Sequence, residues 1–224
     1  MKKAYFLFFS CLIILLAFNN GCKKDVDPPK SLTEEFEAVN DLPGKGWLFI
    51  NNSFPTGDAR WQQGFNGVGK GGPSGFPAYS FRKADTEYAY AGLAYGGGPN
   101  SAVSSWLITP VLEIKNGDKI SFYSKAAPTP PTISAADRLQ VRLNEVDNTG
   151  EVGNTPASVG KFTLVLKDIN ENFELNGYPQ TWTKYEITIS GLTAPREARI
   201  GFRYFPQPSK SNAIGIDLFE FKSL

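Results

Sequence analysis

Short runs of alternating apolar and polar residues, interrupted every few positions by glycine or proline, constrain this chain more than any other feature. KISFYSK, Lys119–Lys125, sets Ile120, Phe122 and Ser124 on one face and Ser121, Tyr123 and Lys125 on the other. RLQVRLN gives Leu139, Val141 and Leu143 one face and Arg138, Gln140 and Arg142 the opposite one. In YEITI, Tyr185, Ile187 and Ile189 oppose Glu186 and Thr188. The same reading predicts strands at Thr33–Val39, Trp47–Asn51, Arg60–Phe65, Ala78–Arg82, Tyr88–Ala94 and Ser104–Thr109. After Lys119–Lys125 they continue at Arg138–Asn144, Phe162–Leu166, Lys184–Ile189, Arg199–Phe205 and Ile214–Phe221. With 22 glycines and 16 prolines there is little room for a long helix. In–out alternation belongs to sheets wet on one side, so the expected class is all-β, an antiparallel β-sandwich.

Composition then narrows the chemistry. Hydrophobic residues make up 41% and aromatics 13%, enough for a real core. The formal charge is +1; two lysines and no acid fall in residues 1–21, so the remainder sums to −1 and predicts no nucleic-acid partner. Histidine is absent, which excludes imidazole bases, Ser-His-Asp and Cys-His catalysis and histidine-ligated zinc. The two cysteines are Cys11 and Cys22, both near the N-terminus. The domain that follows has no thiol for a disulfide or a nucleophile.

The N-terminus predicts location. Lys2 and Lys3 precede an apolar run, Ala4–Phe18, broken only by Ser10, with the length of a signal-peptide core rather than a membrane span. It ends Asn19-Asn20-Gly21-Cys22, which resembles a bacterial lipoprotein signal with Cys22 acylated. The expected organisation is a signal peptide at 1–21, an acylated cysteine and polar tether at 22–31, and a single sandwich at 32–224. The tether, KKDVDPPK from Lys23 to Lys30, resembles the export signals of some Bacteroidetes surface lipoproteins. The expected place is the cell envelope, anchored by lipid at the outer membrane and open to the surface. Three long connections, Gly67–Pro77, Ala126–Ala136 and Glu145–Gly160, are candidates for function.

Several pieces then occur in a telling order. An early Phe36-Glu37, a Gly46-Trp47, and a Gly57-Asp58 turn before Trp61 lead into SWLITPVLEIKNGDKISFYSKA. DRLQVRL, WTKYEITISGL, RIGFRYF and a closing GIDLFEF follow. This resembles the choice-of-anchor J, or cleaved-adhesin, domain of secreted Bacteroidetes proteins, over roughly residues 32–224. The resemblance implies a jelly-roll related to MAM and galactose-binding-like domains. It further implies a structural Ca²⁺ where the first and last strands meet, held by Glu37 and Asp217, with Asp58 as a weaker addition. Calcium takes six to eight oxygens, so carbonyls and water complete such a shell. In this family a second acid often follows the closing aspartate; here Leu218 stands there.

Other candidates come from the residues themselves. Gly64–Gly71, GFNGVGKG, lacks the hydroxyl residue and the helix of a phosphate loop and reads as a plain loop. For sugar stacking, Trp47, Trp61, Trp106 and Trp182 read as core, whereas Tyr88, Tyr90, Tyr95, Tyr178 and Phe205 are the expected surface platforms. Glu34, Glu35 and Glu37, or Asp137 with Glu145, are the available acids for a glycosidase pair, which needs carboxyls about 5–9.5 Å apart. The function expected is a lipid-anchored, non-catalytic binding module for adhesion or for glycan or glycoprotein recognition. The alternatives are an interaction subunit of an envelope complex without a glycan ligand, and a carboxylate hydrolase.

Overall fold

The computed structural model describes residues 27–57, 60–64, 75–79, 88–92, 96–128 and 134–224. The strands are β1 (Ser31–Glu34), β2 (Leu48–Asn51), β3 (Gln62–Gln63), β4 (Ala89–Gly92), β5 (Ser105–Ile108), β6 (Leu112–Ile114) and β7 (Lys119–Ala126). They continue as β8 (Leu139–Leu143), β9 (Leu164–Ile169), β10 (Thr183–Thr188), β11 (Arg196–Ala198), β12 (Ile200–Tyr204) and β13 (Ala213–Lys222). A first sheet runs β10-β7-β13-β4-β3, with β1 also on β13; a second runs β2-β5-β12-β8-β9; β11 and β6 form a small pair. All pairings are antiparallel. The chain is therefore an all-β antiparallel sandwich, as the alternation predicts.

The alternation works as packing. Ile120 and Phe122 of β7, Val141 of β8, Phe202 of β12 and Phe219 of β13 all enter one apolar cluster between the sheets. Aromatic rings bridge that cluster edge to face, the geometry ring quadrupoles favour. Phe36 meets Trp47 at 5.6 Å, Trp47 meets Phe219 at 5.8 Å, Phe219 meets Phe202 at 5.6 Å and Phe202 meets Phe122 at 5.2 Å. This spine ties the closing strand of sheet one to the middle of sheet two.

β13 is the long strand that organises sheet one. Its far part, Phe219–Lys222, pairs with β1, and its near part, Ala213–Ile216, pairs with β4. Between these stretches the ladder to β7 shifts register, and Leu218 takes φ 45°, a left-handed conformation unusual without glycine. Asp217 thus sits at the break where one edge partner gives way to the other.

Several expected boundaries moved. The strand expected over Thr33–Val39 stops at Glu34, because Phe36 turns to φ 55° and Val39–Lys45 coils into a short 3-10 helix. That helix ends at Gly46, whose φ of 86° suits glycine. Of the strand expected over Arg60–Phe65, Gln62–Gln63 form β3, and Phe65 lies outside the described residues. β6 and β11 went unrecognised, since LEI and REA are too short to show a period. Ala78 and Tyr79 are irregular, and the rest of that expected strand lies outside the described residues.

Candidate functional site

The acids assigned to calcium fall around the break in β13. Asp217 is buried; its Oδ2 accepts the Tyr79 amide at 3.1 Å and its Oδ1 the Leu218 amide at 2.7 Å. Glu37 is exposed in the turn that follows β1. Gln63 of β3 pins that turn, donating Nε2 to the Phe36 carbonyl at 2.8 Å and accepting the Val39 amide at 3.0 Å. The first and last strands do meet here, through Glu34 opposite Phe219. Asp58 lies outside the described residues, as do Cys22 and Tyr95. Among the described residues, no cluster of three or more acids, histidines or cysteines forms a cage.

The tyrosine platforms among the described residues do not face solvent. Tyr88, Tyr90 and Tyr178 are 0%, 5% and 2% exposed. Tyr88 stacks on Phe76 at 4.6 Å and accepts the Phe76 amide at 3.1 Å. Burial, then the neighbouring Tyr88 and Asp137, pushes the Tyr90 phenol well above its usual range. Tyr178 shares a 2.6 Å hydrogen bond with Ser124. The reason is a second layer: Phe76, Ala78 and Trp182 pack with Tyr88 and Tyr90 over the outer face of sheet one. Trp47, Trp61 and Trp106 are core, as expected, but Trp182 is only partly buried, with its indole donating to the Pro77 carbonyl at 2.9 Å. Phe205 is also partly covered, under the Arg203 guanidinium at 3.8 Å.

The acids proposed as a catalytic pair are held apart. Asp137 and Glu145 flank opposite ends of β8, whose five residues of strand at about 3.3 Å each span about 16 Å. That exceeds the span of about 5–9.5 Å that a glycosidase pair needs. Asp137 is buried, and its Oδ1 accepts the Tyr204 hydroxyl at 2.6 Å and the Asn212 amide at 2.9 Å. Burial outweighs these bonds and raises its carboxyl to about 6. Glu34 accepts the Phe36 amide at 3.1 Å and Lys45 at 2.9 Å. Glu145 accepts the Thr163 hydroxyl at 2.9 Å.

Sheet two carries a different cover. The long segment after β8 folds back over its outer face, and Val152, Val159 and Phe162 pack on Leu48, Ile50, Trp106 and Ile108. Gly201 of β12 makes room: a Cβ there meets the Trp106 and Phe162 rings at 3.0 and 3.1 Å. Beneath lies Arg203, 2% exposed, donating to Ser104 Oγ at 3.0 Å, Gln140 Oε1 at 2.9 Å and the Pro156 carbonyl. Burial first, then Arg142 and Arg138, lowers its pKa to about 9, against the pull of Asp168. Arg138 and Gln140 share Asp168, and Arg142 donates to Gln140 and the Phe162 carbonyl. The covering segment is therefore fixed by directed bonds to buried guanidinium and amide groups.

At the rim of this cover is a cleft of about 530 Å³ between the turn after β2 and residues 153–156. Asn52 donates from its side chain to the Gly153 carbonyl at 2.8 Å, and its backbone amide bonds the Ser104 carbonyl at 2.9 Å. Phe54 exchanges two backbone hydrogen bonds with Ala102, at 3.0 and 2.9 Å, yet the residue is 72% exposed. Thr56 donates to the Ser53 carbonyl at 2.5 Å, closing the turn. Among the described residues, no charged side chain lines the cleft. Sequence reasoning missed Phe54. Its signal is a single aromatic inside NNSFPTG, where every neighbour is a turn former and no apolar partner stands two positions away.

No family model and no curated protein matches the chain. Among solved structures it is similar to the K1 cleaved adhesin domain of Lys-gingipain from Porphyromonas gingivalis W83. That match has 20% identity, covers 88% of this chain and 99% of that domain, and has a TM-score of 0.52. The K3 cleaved adhesin domain of the same protein matches at 17% identity over 85% and 98%, with a TM-score of 0.53. A family 11 carbohydrate-binding module from Clostridium thermocellum, in complex with a mixed-linked tetrasaccharide, aligns over 87% and 95% at 15% identity. Its TM-score is 0.42, too low to bear on the argument. At such identities the two adhesin domains establish a shared fold and nothing finer.

Proposed function

We propose that this protein is a non-catalytic recognition module of the cell envelope, held by an acylated Cys22 and acting in adhesion through a glycan or glycoprotein. Membership of the choice-of-anchor J group is part of the same reading, supported by the order of motifs and by a fold shared with cleaved adhesin domains. The observation that carries it is Phe54: an aromatic residue 72% exposed on a backbone hydrogen-bonded in both directions. Burying a phenylalanine contributes about 1.5–3 kcal/mol, and this position forgoes most of that while its backbone is held on both sides. Such a surface suits binding; the separated acids Asp137 and Glu145 do not suit hydrolysis.

Calcium belongs to this proposal as a structural ion. Glu37 and Asp217, with Asp58, would hold it beside the break in β13, and its charge would relieve repulsion between them. Both Asp217 oxygens already accept backbone amides, so they are shared rather than dedicated to a cation. Glu37→Gln with Asp217→Asn lowers the melting temperature in calcium buffer and not in chelator; an unchanged melt discards the site. Acylation is read by the mass of the N-terminal peptide beginning at Cys22.

The test of function is an array of neutral glycans, acidic glycans and host glycoproteins probed with purified protein. Discrete hits support recognition, and a blank array at high protein concentration overturns it. A blank result favours the second reading, an interaction subunit, for which β9 is the observation: it is an edge strand with Val165 exposed.

A further inference from the structure

We infer that the cleft beside Phe54 is the glycan site, and that it takes a neutral pyranose stacked on the Phe54 ring. This rests on the recognition reading above and adds the place and the class of sugar. A pyranose presents one C–H face and a rim of hydroxyls, so its site needs an apolar ring beside uncharged donors and acceptors. The cleft supplies both. Phe54 is the exposed ring, and the Asn154 side-chain amide at the opposite wall makes no hydrogen bond within the described structure. Asn52 spends its Nδ2 on the Gly153 carbonyl and keeps its side-chain oxygen available as an acceptor.

Charge sets the class. With no acid or base among the described residues that line the cleft, neither a sialic or uronic acid nor an amino sugar cation finds a partner among them. Arg203, a buried cation, donates its Nη2 to the carbonyl of the lining residue Pro156 and so fixes the wall instead of reaching a ligand. The larger hollow along β9, about 610 Å³, is the contrasting case: Lys167, Asp168, Glu171 and Glu174 line it and no aromatic does. The Phe54 cleft is attached to sheet two, whereas Asp217, the buried acid of the calcium proposal, belongs to sheet one, so the expectation is that sugar binding survives chelation.

The experiment uses an array of β-galactosides, β-glucosides and α-mannosides printed beside their sialylated and sulfated counterparts, in calcium and in chelator. Wild-type protein is compared with Phe54→Ala, Phe54→Trp and Asn154→Ala. The expected result is binding to neutral sugars only, unaffected by chelator. Phe54→Ala loses it at least tenfold, Phe54→Trp retains it, and Asn154→Ala loses it severalfold. Because Phe54 and Asn154 are exposed, the melting temperatures of the variants stay at the wild-type value, which separates lost binding from lost folding. Neutral hits that survive Phe54→Ala overturn the cleft and leave the recognition reading standing. Hits confined to acidic glycans overturn the sugar class. A blank array overturns both readings together.

Discussion

Over sheet one the covering layer is aromatic: Phe76, Tyr88 and Trp182 crowd onto Gly215, with ring contacts of 4.6–5.8 Å among them. Over sheet two it is a backbone segment held by Arg203, Arg142 and Asn52 through hydrogen bonds to carbonyls. Ring packing gains area but tolerates sliding, whereas charge-assisted bonds fix position as well as contact. The polar cover therefore ends in walls of defined shape, and the cleft with the displayed Phe54 lies at its edge. Both covers hide faces that alternation alone assigns to solvent.

The largest expected effect breaks the polar cover. Arg203→Met leaves Ser104, Gln140 and Pro156 without their buried donor and should cost about 3 kcal/mol in chemical unfolding. In a domain of this size that lowers the melting temperature by about 6–12 °C. A loss under about 1 kcal/mol would mean that apolar contacts of Val152 and Phe162 hold the segment instead. Next is the aromatic cover: in Gly215→Ala the new Cβ comes within 2.8 Å of Tyr88, 2.9 Å of Phe76 and 2.9 Å of Trp182. Overpacking against three rings should cost about 2 kcal/mol, and a neutral result would show that this layer slides freely.

A third prediction concerns the staple joining the sheets, since Asp137 binds Tyr204 of β12 and Asn212 at the start of β13. Its folded pKa of about 6 lies above the ordinary carboxylate value, so the neutral form favours folding. That contribution is complete below about pH 4 and is lost as pH rises through 6. Between pH 5 and 8 wild-type protein should lose about 1–2 kcal/mol relative to Asp137→Asn, read as the difference of two denaturant series. The smallest effect lies outside both covers. Lys45 is 53% exposed, and Lys45→Ala, which removes its pair with Glu34, should cost no more than about 1 kcal/mol.

Much of the sandwich was legible because strands with one wet side write their period into the sequence. β7 is the clearest case: its inward Ile120, Phe122 and Ser124 are all buried and its outward neighbours are not. The tyrosines failed for the complementary reason. β4 is buried on both faces, so Tyr88 and Tyr90 look outward in the pattern yet lie under a second layer set by distant chain. Arg203 was hidden likewise, since an arginine at an outward strand position reads as solvated until a loop is laid over it. Phe54 was illegible because displaying a ring depends on how the turn is clamped to Ala102, a contact between residues 48 positions apart. The junction of β1 with β13 came from family resemblance, which periodicity alone cannot supply.

The most direct test of the account is to titrate the strongest-binding neutral oligosaccharide from the array into isotope-labelled protein and follow the backbone amide resonances. The account predicts that the amides of Phe54, Ala102 and Asn154 move together while those near Trp182 and Lys125 stay still. Shifts gathered on the aromatic cover of sheet one, with Phe54 unmoved, would contradict it.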